Sequence, residues 1–406
     1  MPLASSDVVT VSWRDDAKVM GLVGMAHASS HFSHLLLPLM FPVFMQDFGW
    51  RFSELGLLSS VFFVVSGTGQ AVAGFVVDRV GARPVLFMSQ ILFIAACLLA
   101  STAQSYVTLM AVAVLAGLGN APFHPVDFTI LNQRVSSARL GYAFSVHGLT
   151  GNLGWAVAPA FFTLCTALWD WRRAFLAAAC VYALVLAVLV WNRAHLRTTT
   201  TPHSASSDAP PSDLAFMRLP VVWWCFGFFL LSTVTLAVVQ NFSVPILKEL
   251  HGIGLELASM TLTAYMLFGA LGMLVGGFVA ARFPALSDRV VATCMCCAAI
   301  LMALCASGLF GHMGTLWVLA MTGFAVGVGG PSRDLMIKKA TPKGATGRVY
   351  GLVYSGLDVG FALSPLVFGF FMDKGWYSAT LLGAALVLLL SVVAALGVGR
   401  RTPRPA

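Results

Sequence analysis

Apolar runs of membrane-spanning length recur along the whole chain, at approximately 19–45, 55–77, 84–103, 106–131, 140–165, 172–193, 219–246, 256–281, 289–310, 314–338, 347–371 and 377–398. Backbone groups in lipid must be satisfied internally, so only helices or closed barrels can span a bilayer, and runs of about 20 apolar residues without alternation exclude a barrel. The pattern therefore predicts twelve transmembrane helices. The one long polar stretch, 194–218, carries Thr198 to Thr201, Pro202, Ser204, Asp208, Pro210 and Pro211 with no periodicity, and reads as a disordered linker that includes His203, with His195 at its edge. It divides the chain into an N-terminal six-helix half, 1–193, and a C-terminal six-helix half, 219–406.

The halves repeat one another. Gly141 to Pro159 returns 206 residues later as Gly347 to Pro365, with Gly154 on Gly360, Trp155 on Phe361 and Asn152 on Asp358. In the same register Gly117 meets Gly323 and Pro125 meets Pro331, and nearer the start an offset of 203 pairs Gly74 with Gly277. A period near 200 marks a duplicated domain rather than a solenoid.

Composition sharpens this into an all-α integral membrane protein: 58% of the 406 residues are hydrophobic, 10% are charged and the mean hydropathy is +0.86. The lipid bilayer is thus the first partner. The first 18 residues contain Asp7, Asp15 and Asp16 and lack the basic region of a signal peptide, so the amino terminus is expected to be retained. Counted by loop, 18 of the 24 Lys and Arg fall on one side if the chain starts inside, among them Arg79, Arg83, Arg134, Lys343 and Arg404. Both termini are therefore expected in the cytoplasm of a bacterial-type inner membrane, and the net charge of +8 reflects topology, with no nucleic-acid partner. All eight cysteines lie in predicted spans, and the close trio Cys294, Cys296 and Cys297 cannot all face one site, so they read as apolar filler.

Ionisable residues inside the spans mark the candidate site. His27, His31 and His34 lie at i, i+4 and i+7 of the first span, within about 60° of one another on one face, which predicts a cavity-lining stripe. The fourth span ends with His124 and Asp127 among Pro122 and Pro125. The fifth carries His147 and Asn152 on a glycine-rich surface suited to a moving helix interface. In the second half the corresponding groups are Arg333 and Asp334, and Asp358, which has no basic neighbour in its own helix and reads as a titrating group. By the 206-residue offset Asp127 and Arg333 are equivalent, which predicts an inner gate between them that forms when the halves close on the cytoplasmic side and parts in the inward-open state. The bland alternative pairs Arg333 with Asp334 and Asp127 with Arg134. No cofactor or metal is expected: the His27 and His31 pair has no carboxylate or thiolate beside it in sequence. No nucleophile elbow or phosphate loop supports an enzyme.

Between the second and third spans stands Gly74-Phe-Val-Val-Asp78-Arg79-Val-Gly81-Ala-Arg83. Gly74 would permit close helix approach, and Gly81 a tight turn. The run resembles the G-x-x-x-D-R-x-G-x-R signature of the major facilitator superfamily, which implies twelve helices in two pseudo-symmetric halves and assigns this loop to a conformational latch. The Phe123-His124-Pro125 run and Ser33-His34-Leu35-Leu36 resemble the fosmidomycin-resistance-like group. That resemblance implies alternating access, with proton antiport driving efflux of a small molecule and hence antibiotic resistance, by a monomer. The alternative is an importer of a small organic anion or a metal ion.

Overall fold

The computed structural model describes residues 12–136, 139–199, 215–340 and 346–401. His203 and most of the expected linker, Lys343 and Arg404 lie outside the described residues. So does the side chain of Asp78.

Among the described residues, eleven helices are long and apolar enough to cross a membrane. The first span is the twelfth by position and departs from the expected single helix over 19–45. It is built as α1 (Trp13–His34), a 3-10 turn (Pro38–Met40) and α2 (Phe41–Phe48). Pro38 lacks an amide proton and its ring clashes with the carbonyl four residues back, that of His34, which is where α1 stops. At 22 residues α1 is still about 33 Å long. After it come α3 (Phe52–Val80), α4 (Ala82–Ser101), α5 (Tyr106–Asn120) and α6 (Phe123–Arg134). The break between α5 and α6 divides the fourth span at Pro122. Then α7 (Leu140–Leu168) and α8 (Trp171–Trp191) complete one half. The other half comprises α9 (Pro220–His251), α10 (Leu255–Arg282), α11 (Ser287–Ser307), α12 (Gly311–Ala340), α13 (Thr346–Asp373) and α14 (Tyr377–Gly399).

The repeated glycines pack each half together. A methyl group at Gly117 of α5 would stand 2.6 Å from the carbonyl oxygen of Phe62 on α3, and one at its repeat mate Gly323 would overlap the carbonyl of Tyr265 on α10. Likewise Gly154 of α7 touches the backbone of Ala28 on α1, and Gly360 of α13 leaves 2.7 Å to the carbonyl oxygen of Leu230 on α9. Gly74 behaves differently from the expectation of close approach: nothing lies within 4 Å of a methyl group placed there. Gly81 meets the expectation of a turn, with φ +85° between α3 and α4.

The halves join where α3 begins and α13 ends. The amide of Ser53 donates to both carboxylate oxygens of Asp373 at 3.3 and 3.2 Å, and a methyl group at Gly56 would reach 2.6 Å from the carbonyl oxygen of Pro365. Ser59 Oγ donates to Asn241 Oδ1 at 2.7 Å, and Phe63 stacks on Phe361 with centroids 4.3 Å apart. Trp155 and Phe361, equivalent in the repeat, lie 6.4 Å apart, as residues beside a two-fold axis do.

Near the start of α1, Asp16 is buried and receives Ser136 Oγ at 2.6 Å and the Arg139 guanidinium, which ties the helix to the loop before α7. Burial alone raises the pKa of its carboxyl, but the hydrogen bonds from Ser136 and Arg139 outweigh it and hold the group below the usual carboxylate value.

Two outcomes follow from this packing. Gly154→Val should destabilise the chain by roughly 1–3 kcal/mol through overpacking, while Gly21→Ala, which meets nothing within 4 Å, should leave stability unchanged or raise it by up to ~1 kcal/mol. Thermal unfolding in detergent separates the two. Because Asp16 has a lowered pKa in the folded chain, its stabilisation is full above the unfolded value of about 4 and is lost as pH falls through the folded one. Asp16→Asn should therefore lower the unfolding temperature at pH 7 and flatten the loss of stability on acidification; an identical acid limb in both proteins would refute this role.

Candidate functional site

The close contact of α1 with α7 brings together side chains far apart in sequence. Since Gly151 and Gly154 lack side chains, the rings of α1 lie against the α7 backbone: a methyl group at Gly151 would stand 2.7 Å from His31 Cε1 and 3.1 Å from His27 Nε2. His27 and His147 consequently stack with centroids 3.5 Å apart and planes inclined by 24°. From α6, Asp127 reaches both. Its Oδ2 lies 3.0 Å from His27 Nδ1 and 3.1 Å from His147 Nε2. The three are closed from solvent, at 2%, 0% and 7% exposure for His27, Asp127 and His147. The contact to His147 has hydrogen-bond geometry. His27 Nδ1 and Asp127 Oδ1 are buried without a hydrogen-bond partner among the described residues.

The remaining histidines extend from this centre. His31 lies 4.5 Å from His27 and 5.1 Å from His34, centroid to centroid, with Trp155 at 4.2 Å. His34 is fixed at both nitrogens, since Trp155 Nε1 donates to its Nδ1 at 3.2 Å and its Nε2 faces Asn120 Oδ1 at 3.3 Å. An acceptor Nδ1 makes Nε2 the protonated nitrogen of a neutral ring. Asn120 also receives Ser30 Oγ at 2.5 Å and donates to Ser66 Oγ at 2.9 Å, which sets its amide orientation. His124 Nδ1 meets Gln70 Oε1 at 2.8 Å, with its ring 5.8 Å from that of His27.

The three α1 histidines share a face, but only His31 and His34 are half-exposed; His27 turns into its own half. Asp127 has partners that neither expectation placed there. It faces α1 and α7 instead of an arginine, while Arg333 bonds its neighbour Asp334 at 2.9 Å and lies over the Phe229 ring at 4.9 Å. No ion pair joins Asp127 to Arg333 in this structure; their gate is expected only when the halves close on the cytoplasmic side. The carboxylate missing beside the His27 and His31 pair in sequence comes from α6, which sequence neighbours alone did not reveal. Gln70, Asn120 and Trp155 were also missed as site residues. Trp155 carried a signal as the repeat partner of Phe361; Asn120 and Gln70 carried none.

At the seam, Asn152 Nδ2 meets Met273 Sδ of α10 at 3.0 Å, and its repeat mate Asp358 lies against Gly67 of α3, where a methyl group would stand 3.0 Å from Asp358 Cβ. Asp358 makes no hydrogen bond or ion pair with another described residue. The glycines of α7 expected at a moving interface face α1 within the half: Gly151 and Gly154 make that contact, while nothing lies within 4 Å of a methyl group at Gly148. Either side of the turn between α3 and α4, Arg79 is exposed and Arg83 Nη1 donates to the Arg193 carbonyl at 3.4 Å.

The family profile of the Major Facilitator Superfamily matches residues 23–285 and 239–406. An uncharacterized MFS-type transporter, YfnC, of Bacillus subtilis (strain 168) is 24% identical, with 93% of this chain and 91% of that protein covered. The fosmidomycin resistance protein of Escherichia coli (strain K12) is 22% identical over 68% of each, and the hexuronate transporter of Bacillus subtilis (strain 168) is 21% identical over 94% of each. Among solved structures, a bacterial homolog of the human lysosomal transporter Spinster, inward-facing and unoccupied, superposes with a TM-score of 0.76 at 14% identity, covering 98% of this chain and 100% of that one.

The geometry sorts the α1 histidines by accessibility. In a background lacking the more exposed native thiols Cys180, Cys294, Cys296 and Cys297, a small charged thiol reagent should modify the products of His31→Cys and His34→Cys. It should modify that of His27→Cys roughly tenfold or more slowly, as expected for a site reached only by local opening. Equal rates at all three positions would contradict the placement of His27.

Proposed function

The chain belongs to the Major Facilitator Superfamily, and on that premise we propose that it is a proton-coupled secondary transporter that exports a small organic molecule or drug. It is a multi-pass membrane transporter and not an enzyme. The observation that carries the coupling is Asp358, a carboxylate set at the seam between the halves against Gly67, with no charged partner among the described residues. When two halves rock about a seam, such a group is sealed in one state and wetted in the other. It then holds its proton with two different affinities, and that difference is what couples a proton to the conformational change.

Orientation follows from the positive-inside count, which puts both termini and the Arg79, Arg134 and Lys339 ends in the cytoplasm. In that frame the bonds of Ser53 to Asp373 and of Ser59 to Asn241 lie toward the outer side, the arrangement of a carrier closed outside. Export is supported by the fosmidomycin-resistance relative. Import of an organic anion, the class to which the hexuronate named for one relative belongs, fits the site less well. Arg333 would be its natural counter-ion, and that guanidinium is already neutralised by Asp334 and seated on Phe229.

The test uses everted membrane vesicles with an acid interior, probed by a fluorescent pH indicator, with fosmidomycin and a panel of antibiotics added outside. A proton-coupled exporter should dissipate the gradient on addition of its substrate; an importer in this orientation should not. Asp358→Asn should abolish the proton signal while substrate exchange persists. A full proton signal in that variant would reject Asp358 as the coupling group.

A further inference from the structure

The geometry points to a binding site for one divalent transition-metal cation of the zinc class, held by His27 Nδ1, His147 Nε2 and an Asp127 carboxylate oxygen. These ligand atoms all lie within 4.8 Å of one another, and the two nitrogens stand 3.0 and 3.1 Å from Asp127 Oδ2. Around a zinc-class ion at about 2.0–2.1 Å from each ligand, tetrahedral donors stand about 3.3–3.4 Å apart, so the carboxylate is within reach of both nitrogens, while the two stacked imidazoles must part to turn both nitrogens onto one ion.

Two further observations point to a missing cation. His27 Nδ1 approaches Asp127 Oδ2 at hydrogen-bond distance without making a hydrogen bond, and Asp127 Oδ1 is buried with no partner at all. A carboxylate in a closed site within a membrane half is costly unless a positive charge lies beside it. Among the described residues no Lys or Arg pairs with it: the ion pairs of Asp127 are to the two imidazoles. Neutral imidazole and ionised carboxylate are the donors that zinc-class ions take, and softer thiolate-selecting ions are disfavoured by the absence of sulfur in the set.

Three protein ligands leave one coordination position open, the arrangement of an exchangeable site and not of a closed structural one. His31, whose Nδ1 is also buried without a hydrogen-bond partner and whose ring is 4.5 Å from that of His27, stands beside it. Gly151 is what keeps this space clear, since a methyl group there would strike His31 and His27. The second half has no counterpart: the repeat positions of Asp127 and His147 are Arg333 and Val353.

The inference goes beyond the transport reading, and its test reads binding without any transport step. The full chain, purified in detergent and stripped with a chelator, is titrated with Co2+ as the spectroscopic stand-in for Zn2+. One equivalent per chain should bind, with the visible bands of a low-symmetry cobalt site, and Zn2+ should displace it. Asp127→Asn, nearly isosteric, should weaken binding by more than the roughly 10–100-fold typical of losing a supporting contact. His147→Ala removes a ligand, so it should weaken binding and shift the visible bands of any cobalt that remains. The assignment is overturned if wild-type protein takes up no cobalt or zinc above background, the result of a cluster that shares only a proton. A cobalt spectrum unchanged by both substitutions would overturn it too, placing the ion on other ligands such as the Cys294 to Cys297 run.

Discussion

The distance between helices within each half is set by glycines pressed against a neighbour's backbone, and the chemistry of the site depends on that distance. In lipid, apolar burial gives helices little reason to associate, so close van der Waals contact at small residues carries more of the packing. Gly154 meeting the backbone of Ala28 brings α7 onto α1. Only at that separation can the rings of His27 and His147 stack at 3.5 Å and converge on one carboxylate oxygen. With a side chain at Gly151 or Gly154 the helices stand apart, and the carboxylate of Asp127 loses the pair of imidazoles that encloses it.

The same constraint explains how much of the fold could be read from the sequence. Gly117 with Gly323 and Gly154 with Gly360 recur at a fixed offset because both halves need the same backbone contacts, so the duplication was visible as a pattern of glycines. The helical spans were legible because lipid demands long apolar runs. Where polar requirements compete with that demand, the reading failed. α1 carries three histidines and several serines, and Pro38 ends it at His34, so a span taken as one helix is three pieces. Gly74 opens the signature run while still inside α3, yet no neighbour approaches it; its presence there says nothing about packing.

The site itself was legible by residue type but not by pairing. An ionisable residue in an apolar run announces itself, and each of the histidines and acids was identifiable on that ground alone. Their partners come from other helices: Asp127 from α6 for His27 on α1, Trp155 from α7 and Asn120 from α5 for His34. Sequence separation hides these pairings, since the residues that meet are 86 to 121 positions apart in the contacts of His34. The pairing of Asp127 with Arg333, expected only in the state closed on the cytoplasmic side, rested on symmetry. Symmetry governs the backbone here, whereas the side chains at equivalent positions have diverged.

That divergence assigns different work to different places. His27, Asp127 and His147 all belong to one half, so rigid-body rocking of the halves leaves their mutual distances unchanged and alters only what faces them. Asp358 belongs to the other half and touches Gly67 across the seam, so the same rocking replaces its neighbour. Its repeat mate Asn152 sits at the matching seam against Met273, with a neutral amide where Asp358 has an ionisable acid. A duplicated fold would be expected to keep two identical seams unless one of them must respond to something the other ignores. An acid on one seam and an amide on the other make the two seams unequal in response to protons, and their neighbours, Gly67 and Met273, differ as well. A group held inside one half retains its geometry through the cycle, and a group on the seam changes its surroundings with it; that contrast is why the proposed binding site is put at the first kind of position and the proposed coupling group at the second.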